Sequence, residues 1–148
     1  MTGTATFGEL DTNGLEVLSG ECCMQRLARG GIGRIGLMAD GTPSILPVNF
    51  ILVGSQIWIL TGSGTILEAA RGEEPVAFEV DEVDPFSHGG LSVLARGRAR
   101  VIEMSTLAAA SPLRAWGNAR ANRLVAITID QLTGRQIGRA SRPSARTH

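Results

Sequence analysis

Residues 32–53 read IGRIGLMADGTPSILPVNFILV, and this stretch decides the fold class of the chain. Ile35 and Leu37 alternate with less apolar neighbours, and a period of two is typical of a strand that is buried on one face. Asp40-Gly41 is a strong turn signal before a second apolar run, so the stretch predicts a β-hairpin. Because Pro47 has no N–H to donate to a ladder, we expect its strand to lie at an edge or to carry a bulge there.

Short strands and few helices are predicted on both sides of this hairpin. Strands are expected over residues 56–61, 75–83, 91–103 and 123–130, and helices over 20–29, capped by Ser19, and over 66–71. A further helical stretch is expected from Ser105 or Thr106 through Ala110, interrupted by Pro112 and resumed to residue 118. Many short strands with regularly spaced turns favour a small antiparallel barrel, since a doubly wound parallel sheet needs more helices.

The composition indicates one compact domain. With 148 residues, the chain is long enough for a single core at about 15–140, with loosely held tails at 1–14 and 141–148. Fourteen basic and fourteen acidic residues balance, which removes the positive field that binding to nucleic acid or to an anionic membrane would need. All fourteen basic residues are Arg, so Schiff-base chemistry is excluded, and a phosphate must be held by Arg, hydroxyls or backbone amides.

Cysteine and histidine usage excludes two further classes. Cys22 and Cys23 are adjacent, so they cannot form a disulfide framework, and they lack the spacing of a zinc site. The only histidines are His88 and His148, and no metal is expected.

The first residues carry no signal-peptide pattern, and no long apolar stretch occurs, which favours a cytoplasmic location. No Ser/His/Asp arrangement is present, and no catalytic side chain is predicted.

Two features carry candidate chemistry. Residues 61–65, TGSGT, join a strand to a helix, and their small residues and hydroxyls can cradle a phosphate. The loop lacks the Lys of a Walker loop and a full GxGxxG, so a plain connection is the alternative. Arg96, Arg98 and Arg100 share one face of a strand, where they suit a phosphate or an acidic substrate, or simply form a solvated surface. Arg34 can reach a cofactor or pair with Asp40.

A series of spaced motifs resembles the pyridoxamine 5'-phosphate oxidase-like flavin-binding split-barrel family, closest to its nitroimidazole-resistance-like and small actinobacterial branch. The motifs are GRI at 33–35, DGTP at 40–43, PVNF at 47–50, TGSGTIL at 61–67, AFEVD at 77–81, SVLARG at 92–97 and TGR at 133–135. The resemblance covers about residues 15–138.

The resemblance implies a mainly β fold, a six-stranded antiparallel split β-barrel with a few short helices. It further implies a homodimer with FMN at the subunit interface and hydride transfer between the flavin ring and a small-molecule substrate. The cofactor-binding residues it implies are Arg34, Pro47, Val48, Asn49, Phe50, Thr61, Ser63, Gly64, Thr65 and Ile66. The strand at 47–50 would contact the flavin ring mainly through backbone groups, and the loop at 61–66 would line the phosphate end.

The chain departs from the family at positions that bear on this prediction. Relatives commonly carry Lys where this chain has Ile66, and an aromatic residue where it has Leu91. Losing one charge-assisted contact to the phosphate costs about 1.5–3 kcal/mol of binding free energy unless an Arg takes the place of the Lys. Arg34 is the first candidate for this replacement, and Arg71 or the Arg96 row is the next. Two alternatives therefore stand beside an FMN oxidoreductase: a reductase that uses a 5-deazaflavin coenzyme, and a barrel that has lost redox activity and acts as a binding module.

Overall fold

The computed structural model describes Leu10, residues 14–103, Leu113 and residues 123–138. The elements in chain order are β1 (Glu16–Val17), α1 (Gly20–Ala28), β2 (Gly31–Ala39), β3 (Thr42–Val53), β4 (Gln56–Thr61), α2 (Thr65–Arg71), β5 (Pro75–Asp84), β6 (Gly89–Ile102) and β7 (Arg123–Ile137). The helical stretch predicted over 105–118 and the tails before Leu10 and after residue 138 lie outside the described residues.

The strands form one antiparallel sheet that closes on itself. Their order is β1-β7-β4-β3-β2-β5-β6, and β6 also pairs with β7. Strands β2 to β7 therefore make a closed barrel of six strands, while the two-residue β1 is added to the end of β7. This arrangement confirms the predicted mainly β, antiparallel split barrel with few helices.

The hairpin that decided the fold class is formed by β2 and β3. Asp40 and Gly41 at its tip both have positive φ, 52° and 77°. This is the backbone conformation of a two-residue hairpin turn whose twist matches that of the flanking strands. Arg34 pairs with Pro47, and β4 pairs with β3 only from Phe50 to Val53. Within the described residues the first part of β3 thus has a partner on one side only. The prediction of an edge at Pro47 is confirmed.

The barrel interior holds the main apolar core. Phe50 and Phe78 meet there with ring centroids 4.7 Å apart and an interplanar angle of 69°, a favourable edge-to-face contact. A Cβ at Gly33 would clash with the Phe78 ring, so glycine is required at that position. A second cluster lies on the other face of β4 and β7, where Trp58 packs with Leu113 and is 8% exposed. Trp58 is therefore a core residue.

Helix α1 is fixed at both ends. The Ser19 hydroxyl accepts a hydrogen bond from the Cys22 N–H at 3.1 Å, as the predicted N-cap does. Near the C-terminus, Arg26 Nε lies 2.9 Å from the Glu82 carboxylate on β5, and Arg29 also pairs with Glu82. Cys23 on α1 is fully buried in the core. These contacts hold α1 against the barrel.

Strand β7 is longer than its sequence indicated. The prediction ended it at Asp130, where two polar residues interrupt the apolar alternation, but the strand continues to Ile137. A β-bulge explains the difference, because Arg96 pairs with Gln131 and Gly97 pairs with Ile129, which leaves Asp130 as the extra residue. Among the described residues, no helix has the length and apolar character that crossing a membrane requires.

Candidate functional site

Arg34 lies on the outer face of β2, between Pro47 on β3 and Glu79 on β5. Its cross-strand carboxylate neighbour is thus Glu79, and the alternative pairing with Asp40 is not formed. Burial raises the pKa of Glu79, and the neighbouring Asp81 raises it further. Two other groups lower this pKa: the Ser92 hydroxyl, which donates to Glu79 Oε2 at 2.9 Å, and the charge of Arg34. Arg34 is exposed and makes no ion pair within the described ranges.

The PVNF segment of β3 presents different groups on its two faces. Phe50 is 1% exposed and belongs to the core, whereas Pro47 is exposed and Val48 and Asn49 are half-buried. Asn49 pairs with Ile32, an apolar residue that is 60% exposed. The groups this segment can offer a ligand are therefore its backbone and the side chains of Pro47 and Asn49, while Phe50 supports the strand from inside.

The loop at 61–65 enters helix α2 without a capping side chain. Gly64 is the N-cap residue, with φ 134°, and no side chain accepts from the first amides of the helix, in contrast to Ser19 at α1. Thr61 and Thr65 are half-buried, and Ser63 is exposed. The loop thus presents hydroxyls and backbone amides, the donors that suit a phosphate.

Ile66 follows this loop with its side chain inward. It is 8% exposed and packs in the main core cluster with Leu67 and Ala70. Its side chain offers nothing to a ligand, and only its backbone amide faces the start of the helix. The position at which relatives carry Lys therefore supplies packing in this chain.

The topology brings these segments to neighbouring positions. Arg34 is joined to Pro47 by the β2–β3 pairing, and Phe50 pairs with Ile59, two residues before Thr61. All ten predicted residues thus follow one path along β2, β3 and the β4–α2 connection. Of these residues, Phe50 and Ile66 bury their side chains.

Two other reactive side chains stand apart from this path. Burial raises the pKa of the Cys23 thiol, and the neighbouring Cys22 raises it further, so this cysteine is not activated as a nucleophile. His88 is exposed at the β5–β6 turn with φ 57°. Neither position adds a group to the candidate site.

A groove with a volume of about 570 Å³ lies beside the predicted cofactor-binding residues, and none of these ten residues lines it. Its lining residues are Gly36, Leu37, Met38, Pro43, Ser44, Ile45, Pro75, Val76, Ala77, Arg96, Gly97, Arg98, Asp130 and Gln131. Two of the three arginines that the sequence placed on one face, Arg96 and Arg98, belong to it. The rest of this groove was not predicted, because its residues come from five strands and carry no local motif.

Comparison with known proteins identifies the family. Residues 19–136 match the family model described as pyridoxamine 5'-phosphate oxidase, which covers most of the chain. The chain belongs to the pyridoxamine 5'-phosphate oxidase family. The resemblance drawn from the sequence motifs is thereby confirmed. None of the curated proteins matches the chain at a significant level.

Several solved structures share the fold of this chain. The FAD binding protein from Mycobacterium smegmatis is 31% identical, with 82% of this chain and 98% of that chain covered and a TM-score of 0.65. A FAD-binding protein from Mesorhizobium loti is 23% identical over 84% and 98% of the two chains, with a TM-score of 0.68. A protein from Bacteroides thetaiotaomicron, provisionally described as a 5-nitroimidazole antibiotic resistance protein, is 17% identical over 93% and 95%, with a TM-score of 0.67. The fold is thus one used by flavin-binding proteins.

Proposed function

We propose that this member of the pyridoxamine 5'-phosphate oxidase family is an FMN-binding oxidoreductase that transfers hydride between the flavin and a small molecule at a dimer interface. The observation that carries the proposal is the 31% identity with a protein described as FAD binding, over 82% of this chain. FAD and FMN share the flavin ring and the phosphate nearest to it. Similarity to a FAD-binding protein is therefore consistent with either cofactor in this chain.

The described residues fit a flavin without a lysine. The TGSGT loop ends at an uncapped helix start, where hydroxyls of Thr61, Ser63 and Thr65 and the first amides of α2 would hold the phosphate. Arg34, exposed and without an ion pair in the described ranges, is the first candidate for the missing charge. The backbone and Asn49 of the β3 segment would hold the ring.

When bound, the flavin supplies the hydride chemistry at its ring, and the protein supplies binding, orientation and exclusion of water. The one-sided pairing of β3 around Pro47 leaves backbone groups of this segment available for hydrogen bonds to the ring edge. Phe50 and Phe78 behind the strand hold it rigid from the core. No side-chain acid or base is assigned.

Exposed apolar residues support the homodimer. Ile32, Met38 and Ile45 are 60%, 51% and 72% exposed, and all three lie on the outer face of the β2–β3 hairpin. Met38 and Ile45 stand on neighbouring register pairs of one face, and exposed apolar side chains grouped in this way mark surfaces that bind a partner. A second copy packed on this face would cover them and close the flavin site from outside.

Titration with FMN, FAD and a 5-deazaflavin coenzyme, followed by quenching of the cofactor's fluorescence, tests this proposal. We expect FMN to bind, and the double variant Ser63→Ala/Thr65→Ala to bind it about a hundredfold more weakly, because each lost hydroxyl removes a hydrogen bond to a charged group. Ser55→Ala, in the exposed β3–β4 turn, is the matched control and should bind as the wild type does. Tighter binding of the deazaflavin than of FMN would show that the deazaflavin is the cofactor. If none of the three binds, the binding-module alternative is favoured.

A further inference from the structure

The hydride transfer proposed above leaves one chemical requirement without a residue. Hydride carries two electrons and one hydrogen, so a neutral acceptor that takes up hydride becomes an anion until it also receives a proton. A side chain donates a proton well when its pKa lies near the working pH, and a carboxyl group reaches that range only when its surroundings disfavour its charge. The carboxyl group of Glu79 has such surroundings.

Glu79 lies one strand beyond Arg34, on a line that starts at the strand assigned to the flavin ring. Pro47 pairs with Arg34, Arg34 pairs with Glu79, and on its other side Glu79 pairs with the uncharged Leu94. Register partners stand on one face of a sheet, so these side chains share the outer face. Because adjacent strands are about 4.8 Å apart, Glu79 is roughly 10 Å from Pro47, a distance that a substrate beside the ring can span.

Two neighbours decide how Glu79 holds a proton. The Ser92 hydroxyl on β6 donates to Glu79 Oε2 at 2.9 Å, which leaves Oε1 open to carry the proton. Asp81, two residues further along the same face of β5, raises the pKa of Glu79 by its charge and by a side-chain hydrogen bond. Two carboxyl groups form a hydrogen bond with each other only when one of them is protonated. Glu79 and Asp81 therefore share a proton as a pair.

The two members of this pair differ in their access to solvent. Glu79 is half-buried, whereas Asp81 is exposed. Burial is the largest cause of the raised pKa of Glu79, and the Ser92 hydroxyl and the charge of Arg34 on β2 act against it. On the Asp81 side, the charged neighbour is Arg26 of α1. The inner member of the pair thus holds the proton, and the outer member connects it to water.

We propose that Glu79 is the proton donor of the reaction and that Asp81 returns a proton to it from water, an assignment that rests on the proposed flavin function. For an acceptor such as a quinone, hydride from a flavin reduced by a nicotinamide coenzyme supplies two electrons and one hydrogen. The Glu79 O–H bond breaks as an O–H bond forms on the acceptor, which leaves a neutral hydroquinone and the Glu79 carboxylate. Asp81, protonated from water, then gives its proton to Glu79.

Carbon-13 NMR of protein labelled at the glutamate side-chain carboxyl groups tests the pair without any cofactor. We expect the Glu79 signal, assigned by its loss in Glu79→Gln, to titrate above the ordinary pKa of 4.5, and Asp81→Asn to lower that pKa. Glu74→Gln, at an exposed position just before β5, is the matched control and should leave the Glu79 titration unchanged. A Glu79 signal that titrates at the ordinary pKa, or that Asp81→Asn does not move, overturns the shared proton.

Stopped-flow oxidation of the flavin tests the donor in the protein loaded with FMN. The flavin is reduced anaerobically with a stoichiometric amount of dithionite, and menadione is then mixed in as the quinone. We expect the wild-type rate to fall as the pH rises through the pKa of Glu79. Glu79→Gln should react about a hundredfold more slowly and show no such fall, since an amide has no proton to give. Glu74→Gln should react as the wild type does.

The binding of FMN separates this inference from the proposed function. FMN should bind equally to Glu79→Gln and to the wild type, because the donor acts on the substrate. Equal rates in the two proteins at every pH, including no reaction in either, or loss of FMN binding in Glu79→Gln, overturn the donor and leave the flavin function standing. A wild type that binds no flavin overturns the flavin function and the donor together.

Discussion

Gly36 and Gly97 both line the groove, yet a methyl group meets different surroundings at the two positions. A Cβ at Gly97 would clash with the backbone oxygen of Thr128, which the β6–β7 ladder holds in place, whereas at Gly36 the nearest atom is the Ala77 Cβ at 3.8 Å. We predict that Gly97→Ala lowers the free energy of unfolding by about 2–3 kcal/mol. Gly36→Ala should stay within about 1 kcal/mol of the wild type. Urea denaturation measures both, and equal losses would contradict this account.

Glu79 gives a pH-dependent prediction at the same scale. Burial raises its pKa above the ordinary value of 4.5, so the folded state binds a proton at a pH where the unfolded state has released it. Stability from this residue is therefore full below about pH 4.5 and is lost as the pH rises through the raised pKa. We expect Glu79→Gln to remove this loss, so that the variant gains stability relative to the wild type as the pH rises towards neutrality.

Urea denaturation of both proteins between acid and neutral pH measures that difference. Glu68→Gln, at an exposed position on α2, is the control for the loss of one surface carboxylate. A wild type whose stability relative to Glu79→Gln instead rises with pH would contradict the assigned environment of Glu79.

Helix α1 depends on its N-cap at the scale of a single element. The Ser19 hydroxyl accepts from the Cys22 N–H, and α1 carries the buried Cys23 and Leu27 against the barrel. Ser19→Ala should lower the free energy of unfolding by about 1 kcal/mol, because one helix-end amide loses its partner. Ser55→Ala, in an exposed turn, should change it by less than about 0.5 kcal/mol. Thermal or urea unfolding distinguishes the two, and equal effects would argue against the cap.

The elements were largely predictable because each carries a local signal. Ser19 marks the start of α1, Asp40-Gly41 marks the tip of the hairpin, the Ile and Trp content marks β4, and alternation marks β6. The length of β7 was not predictable, since Asp130 at the bulge looks like the end of a strand. Only the pairing of Gln131 with Arg96, beyond the bulge, shows that the strand continues. Pairing between distant strands is information that a local pattern does not hold.

The site was predictable only in part for the same reason. The loop and the β3 segment follow motifs, whereas the inward side chain of Ile66 depends on how α2 packs in the core. The neighbour of Arg34 is Glu79 because β2 pairs with β5, which no spacing in the sequence indicates. The groove brings Gly36, Ala77 and Arg96 together from three strands, and apart from its two arginines it was not predicted.

At the scale of the whole molecule, the exposed apolar face of the β2–β3 hairpin predicts self-association. The double variant Ile32→Glu/Met38→Glu places two charges on this face, where the wild type exposes apolar side chains, and should convert a dimer into a monomer that remains folded. Gln25→Glu, on the exposed side of α1, is the control and should stay dimeric. Sedimentation velocity measures the mass, and an unchanged mass for the double variant would place the dimer contact elsewhere.

The visible absorption spectrum of the protein, purified without added cofactor, tests the central claim most directly. We predict the absorption band of an oxidised flavin, which should bleach on addition of a reductant, and release of FMN into the supernatant when the protein is denatured. A colourless protein that also fails to take up FMN, FAD or a 5-deazaflavin on titration would contradict the flavin assignment of the β3 segment and the TGSGT loop.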